Sequence, residues 1–257
     1  MNSFQCESSD GCTIRGWSYS QPDLREGTLV WIHGIGGGSS TWAPEWLYEL
    51  RKQNNMCSAA FDCRGHGRSD YKTPTAGVAE AWDCSAVLDT LQKHDFPLPF
   101  ILIGESMGAM VAGHVARTDE RVAGAVCLMS PCAPLVGAKT VLPGWLIGIL
   151  RSVVIDEYGD DLLLKGDLTF DPCEPAHKPR ILHVIGEYDP FGWENTFELW
   201  KHWYAASTDS PFVGPAEAPL QFKYFLRPAC GHDLSTWEPR YQVLNDFIAV
   251  AKTASKT

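Results

Sequence analysis

The stretch Gly104-Glu105-Ser106-Met107-Gly108 constrains this chain more than any other. An apolar, strand-like run, Phe100-Ile101-Leu102-Ile103, precedes it, and small, helix-compatible residues from Ala109 to Arg117 follow. Five-residue patterns with two glycines recur by chance, so the flanks give this one its meaning. A strand, a sharp turn carrying serine and a helix together make a nucleophile elbow. The turn holds the serine in a strained backbone conformation, and the glycines let neighbouring backbone come close without a Cβ clash. The hydroxyl then stands above the sheet edge, where the helix N-terminus points N–H groups at a reacting oxygen.

A serine hydroxyl is a weak nucleophile and needs a base, usually histidine, and an acid that fixes the histidine tautomer. An elbow fold supplies them in the order serine, acid, histidine, each on a loop after a strand. Arg180 to Gly186 reads as a buried parallel strand, and it leads into Glu187-Tyr188-Asp189-Pro190. Asp189 therefore falls at a strand's C-terminal end, where open α/β sheets build their sites. Gln221 to Leu226 reads as a further strand, followed by Pro228-Ala229-Cys230-Gly231-His232-Asp233. His232 is a loop histidine ahead of a final helix. Asp189 also fits a plain Asp-Pro turn, and Glu187, Asp156 and Glu157 are the competing acids. Asp233 reads as a helix-start or loop residue. Among the other histidines, His33 reads as ordering a glycine-rich loop, His66 as structural and His183 as core. His94, His114, His177 and His202 lack a strand-end setting.

With these positions in place, the chain resembles the α/β-hydrolase family from about Thr28 to about Val250. Gly186-Glu187-Tyr188-Asp189 is similar to that family's Gly-x-x-Asp after the seventh strand, and Gly231-His232 to its Gly-His after the eighth. His33-Gly34-Ile35-Gly36 resembles the His-Gly-x-Gly oxyanion loop after the third, and Asp62 to Ser69 the Arg-Gly-x-Gly-x-Ser loop after the fourth. The resemblance implies a mostly parallel eight-stranded sheet with helices on both faces. Two backbone donors should hold the developing oxyanion. One is the Met107 amide, just after the nucleophile, and the other, by resemblance, is the Ile35 amide. Gly36-Gly37-Gly38 lets the chain pass close to substrate, or else is a flexible loop. A phosphate loop does not fit, because no Gly-Lys-Ser/Thr follows.

No linker-like tract divides the 257 residues, so a single domain over 1–257 is expected. The net charge of −10 argues against nucleic acid or an anionic membrane as partner. No apolar run is long enough to span a bilayer. The start, Met1 to Glu7, carries neither a basic flank nor an apolar core, so no signal peptide is expected. Nine cysteines in no framework spacing read mainly as small core residues of a chain in a reducing, cytoplasmic compartment. Cys230 beside the candidate base is either inert packing or an oxidation-sensitive neighbour. No His and Cys cluster has metal-ligand spacing, and no cofactor is expected. Oligomeric state is open.

Hydrophobic periodicity predicts a hairpin over Ser3–Glu7 and Thr13–Tyr19. It also predicts strands at Leu29–Ile32, Cys57–Asp62 and Ala123–Met129. Helices are expected at Trp46–Lys52, Val78–Lys93, Glu194–Ala206 and Gln242–Lys252. Trp82, Ser85, Leu88 and Leu91 mark one face of the second of these. No strand is convincing between Pro134 and Pro179, where the resemblance implies a short helical cap over about 135–178. A helix is expected after Pro143 and a second short one over Asp156–Lys165. Trp145, Leu146 and Ile149 either contact an acyl group or pack on the body; a surface-bound amphipathic helix is a third option. Gly36 is the remaining substrate-side candidate. The expected activity is serine-dependent cleavage of a carboxylic ester or thioester of a small to medium apolar acyl substrate. The alternative is a lyase, cyclase, acyltransferase or small-molecule receptor using the same pocket.

Overall fold

The computed structural model describes residues 1–38, 45–128, 144–159, 179–186, 222–227 and 240–253. Its strands are β1 (Asn2–Glu7), β2 (Thr13–Tyr19), β3 (Thr28–Ile32), β4 (Cys57–Asp62), β5 (Phe100–Glu105), β6 (Val122–Leu128), β7 (Arg180–Gly186) and β8 (Phe222–Arg227). The described helices are α1 (Glu45–Gln53), α2 (Val78–Lys93), α3 (Met107–Thr118), α4 (Gly144–Tyr158) and α5 (Arg240–Ala251). They build the expected α/β-hydrolase fold on an eight-stranded sheet in the order β1-β2-β4-β3-β5-β6-β7-β8. The β1/β2 and β2/β4 pairs are antiparallel, and every other pair is parallel.

Strands buried on both faces read as continuous apolar runs, and here each face has its own core. Leu29 and Trp31 of β3 and Ile101 and Ile103 of β5 turn toward Leu47 and Leu50 of α1 and Leu244 and Ile248 of α5. Val30, Ile32, Phe100 and Leu102 turn the other way, onto Val87 and Leu88 of α2 and Val111 and Val115 of α3.

Strand order reverses at β3, which lies between β4 and β5. Loops leaving the carboxyl ends of neighbouring strands diverge at such a switch point and leave a crevice. Register makes those ends level: Ile32 pairs with Phe61 of β4 on one side and Gly104 of β5 on the other. The loops after β3, β4 and β5 therefore meet at one edge. The parallel strands β7 and β8 end at that same edge, Gly186 opposite Arg227.

Two helices differ from expectation. In α2 the buried apolar face carries Cys84, Val87, Leu88 and Leu91, with Glu80 and Asp83 buried beside them, while Trp82 and Ser85 are only half-buried. The carboxylates occupy core-facing positions because each has donors there. Glu80 accepts from the Thr75 amide and hydroxyl and the Gly77 amide, each at 2.8 Å. The second correction concerns Asp156, which does not begin a new helix. No glycine or proline lies between Ile149 and Tyr158, so α4 continues through Asp156 and Glu157 to Tyr158. Gly159, at φ +66°, then ends it in the left-handed conformation, donating its amide to the Ile155 carbonyl at 2.8 Å. The expected helix over Glu194–Ala206 and residues 160–165 lie outside the described residues.

Candidate active site

Ser106 sits between β5 and α3 at φ 52°, ψ −114°, a backbone conformation an L-residue adopts only under constraint. Three constraints hold it. Its amide donates to the Leu128 carbonyl of β6 at 2.8 Å, carrying the sheet register past the end of β5. Its carbonyl accepts from the Ala109 amide at 3.0 Å, starting α3. Its glycine neighbours let backbone close around it: a Cβ on Gly104 would run into the Gly108 carbonyl, and one on Gly108 into the Ile32 carbonyl. The serine is partly exposed. Met107 is the first residue of α3, so its amide belongs to the N-terminal set that has no acceptor within the helix.

The loop after β3 lies directly against this turn. A Cβ on Gly34 would stand 3.2 Å from the Ser106 Cβ and from the Glu105 carbonyl oxygen. Beyond it, Ile35 is 65% exposed, so its side chain is not what holds the loop. The backbone is held instead by two histidines from different loops. His33 Nδ1 lies 2.6 Å from the Gly34 carbonyl oxygen, and the Cys63 amide donates to His33 Nε2 at 3.0 Å. The accepting Nε2 carries no proton, which places the proton on Nδ1. Burial above all lowers the His33 pKa and favours this neutral ring. His66 contacts the same loop at Gly36, and the two rings meet edge to face with centroids 4.9 Å apart.

Arg64, in the loop after β4, is fully buried. Its Nε and Nη2 donate to the Asp83 carboxylate at 3.0 and 2.5 Å, and its own amide donates to Asp83 Oδ2 at 3.0 Å. Nη1 donates to Asp10 at 2.8 Å and to the Tyr158 hydroxyl at 3.2 Å. Tyr158 in turn donates to the Thr73 carbonyl at 2.6 Å. One guanidinium thus ties together the β1–β2 turn, the loop after β4, α2 and the end of α4. Burial works against the charge on Arg64, but Asp83 and Asp10 outweigh it and raise its pKa. The same loop holds a thiol that stays neutral: burial, followed by Asp83 and Glu80, pushes Cys63 well above the usual range.

Of the other sequence-derived candidates, Trp145 and Ile149 are 68% and 52% exposed on α4. The helix reaches the body through buried Val154 and the Tyr158 hydroxyl. The Leu146 side chain, Asp189 and His232 lie outside the described residues. Ser106, Met107, Gly34, Ile35 and Gly36 are brought together at one edge of the sheet. Sequence reasoning missed Arg64, Asp83 and Tyr158 as a cluster. The available signal was charge at core-facing positions: Asp83 stands among the apolar residues of α2. Among the described residues no helix is long and apolar enough to cross a membrane.

Two outcomes follow from this packing. Gly108→Ala is expected to destabilise by about 2–3 kcal/mol in urea melts, because the atoms in conflict, from Ile32 and His33, are all backbone and none can rotate away. A melt unchanged from wild type would contradict the close approach of α3 to β3. The second outcome concerns acid. Burial would raise the Asp10 carboxyl, but Arg64 and Lys72 overcome it and hold the pKa at about 2, below the ordinary 3.8. Its contribution is full above pH 3.8 and is lost as pH falls toward 2. Asp10→Asn should therefore be less stable than wild type at pH 6, by on the order of 1–2 kcal/mol, and nearly equal to it near pH 2. A gap between the two that stays constant across that range would refute the pairing.

A sequence model of the alpha/beta hydrolase family matches residues 29–246, and the chain belongs to that family. Human protein phosphatase methylesterase 1 is 32% identical over 93 residues, which is 35% of this chain and 24% of that protein. Lipase LipV of Mycobacterium tuberculosis is 29% identical over 132 residues, 51% of this chain and 42% of the lipase. The match thus spans about a quarter of the methylesterase and under half of the lipase. The solved esterase Pf2001 of Pyrococcus furiosus superposes with a TM-score of 0.68 at 19% identity, over 96% of this chain and 91% of that one. At that identity the likeness concerns the fold alone.

Proposed function

We propose that this chain is a serine hydrolase that cleaves a carboxylic ester or thioester of a small to medium apolar acyl group. The observation that carries the reading is the constrained Ser106 turn, at φ 52°, placed against Gly34 at the sheet switch point. Ser106 Oγ attacks the substrate carbonyl as His232 takes its proton, and Asp189 holds the imidazole and offsets its charge. The Met107 and Ile35 amides receive the oxyanion. His232 then protonates the leaving alcohol or thiol, and a water molecule, deprotonated by His232, releases the acid and restores Ser106. Asp189 and His232 follow β7 and β8 closely in sequence, and both strands end at the edge that carries Ser106. The family's esterase, lipase and methylesterase members support hydrolysis as the reaction type. In this reading the chain is one domain, the segment 135–178 caps the pocket, and Trp145, Leu146 and Ile149 line its entrance. The buried free cysteines Cys12, Cys57, Cys63 and Cys84 support a reducing, cytoplasmic setting.

The test is a panel of p-nitrophenyl esters and acyl thioesters of graded chain length, followed from the first turnover. The reading expects a stoichiometric burst of leaving group, steady release of free acid and a preference for short to medium acyl chains. Transfer of the acyl group only to an added alcohol or thiol would reassign the chain to acyl transfer. Saturable binding without any burst would make it a receptor.

A further inference from the structure

We propose that His66 is a positioning residue for the reaction: with its proton on Nδ1, it clamps the Ile35–Gly36 peptide and so, together with His33 on the preceding peptide, holds Ile35 in the backbone conformation that presents its amide. The inference rests on the reading in which that amide receives the oxyanion.

The Gly36 amide donates to His66 Nε2 at 3.1 Å, and His66 Nδ1 lies 2.8 Å from the Arg64 carbonyl oxygen. An accepting Nε2 leaves Nδ1 to carry the proton and donate to that carbonyl. The carbonyl is a firm anchor, because the Arg64 amide and side chain are both bonded to buried Asp83. On the other side of Ile35, the Gly34 carbonyl accepts from His33 Nδ1 and from the Gly37 amide at 3.0 Å. A trans peptide points its N–H opposite to its C=O, so fixing the Gly34 carbonyl fixes the direction of the Ile35 N–H. The Gly34–Ile35 and Ile35–Gly36 peptides are thus each held by a different histidine.

Packing does little of this work. Gly36 is exposed, at φ +75°, and a Cβ placed there would meet nothing within 4 Å. Ile35 projects into solvent. With so little packed against the loop tip, the hydrogen bond to His66 is a principal restraint on that peptide. Misplacing a catalytic group by about 1 Å can cost a hundredfold in rate.

The experiment compares His66→Leu, which keeps bulk but removes the acceptor, with His66→Gln, whose Oε1 can reach the Gly36 amide. For His66→Leu we expect kcat to fall about 10–100-fold with KM within about twofold, and fluorophosphonate labelling of Ser106 to slow in parallel. His66→Gln should restore most of kcat. Equal losses in both variants, tracking a lowered Tm, would make His66 merely structural and overturn the proposal. An unchanged kcat in His66→Leu would overturn it too while leaving Ser106 as nucleophile. Failure of wild-type protein to label at Ser106 would remove the site reading and this inference with it.

Discussion

Ser106→Ala is expected to lower kcat/KM by at least about a thousandfold, and by up to about a millionfold, while leaving Tm within a degree or two of wild type. In the proposed mechanism the activity loss follows from removing the atom that would form the acyl-enzyme. The unchanged stability follows from the backbone. Alanine has the same Cβ as serine, so it meets the same strain at φ 52° and relieves none of it. Ser106→Gly separates the two effects further. Glycine adopts positive φ without penalty, so this variant should be equally inactive and more stable, by on the order of 1 kcal/mol. Strain is then visible as stability given up at the functional position. Kinetics with a short-chain p-nitrophenyl ester and thermal melts of the three proteins check both halves. A glycine variant less stable than alanine would mean that the turn is not strained.

Asp83→Ala should be the most damaging single change away from the nucleophile, at about 3–5 kcal/mol of folding stability. Arg64 and Asp83 both have fully buried side chains. Removing the carboxylate strands the guanidinium and the Arg64 amide without their principal acceptor in a place water does not reach. Asp10 and the Tyr158 hydroxyl still accept from Nη1, which limits the loss but leaves Nε unpaired. The cost belongs to the broken pair rather than to an intrinsic advantage of ion pairs in the core. A double variant, Arg64→Met with Asp83→Leu, should therefore recover a large part of the stability that the single change loses. Chemical denaturation of the single and double variants measures this. A single variant within 1 kcal/mol of wild type would show that the pair is solvated in solution.

The sheet was legible in the sequence because its signals are local. Strands β3 and β5 are continuous apolar runs between turn residues, and their bounds fell within a residue or two of expectation. The Ser106 turn announced itself because glycines at Gly104 and Gly108 answer a steric demand between neighbouring segments. The Arg64 cluster was hidden because its partners Asp10, Asp83 and Tyr158 are scattered along the chain, and no periodicity links them. The tie between His66 and Gly36 was hidden for the same reason: it joins loops after different strands, adjacent only once β3 and β4 pair. The α2 face was misjudged through Trp82, a large apolar residue that lies half-buried near the Arg64 guanidinium, 5.5 Å from it, rather than in the core. The end of α4 was marked by Gly159, but Asp156 looked more like a helix start than it proved to be.

Covalent trapping tests the central claim most directly. Wild-type protein treated with a fluorophosphonate and digested with trypsin yields the peptide His94–Arg117, in which Ser106 is the only hydroxyl-bearing side chain. Mass spectrometry is expected to find one phosphonyl group per chain, on that peptide, with loss of esterase activity in the same proportion. A label on any other peptide that tracks the loss of activity, or full labelling of Ser106→Ala, would contradict the account.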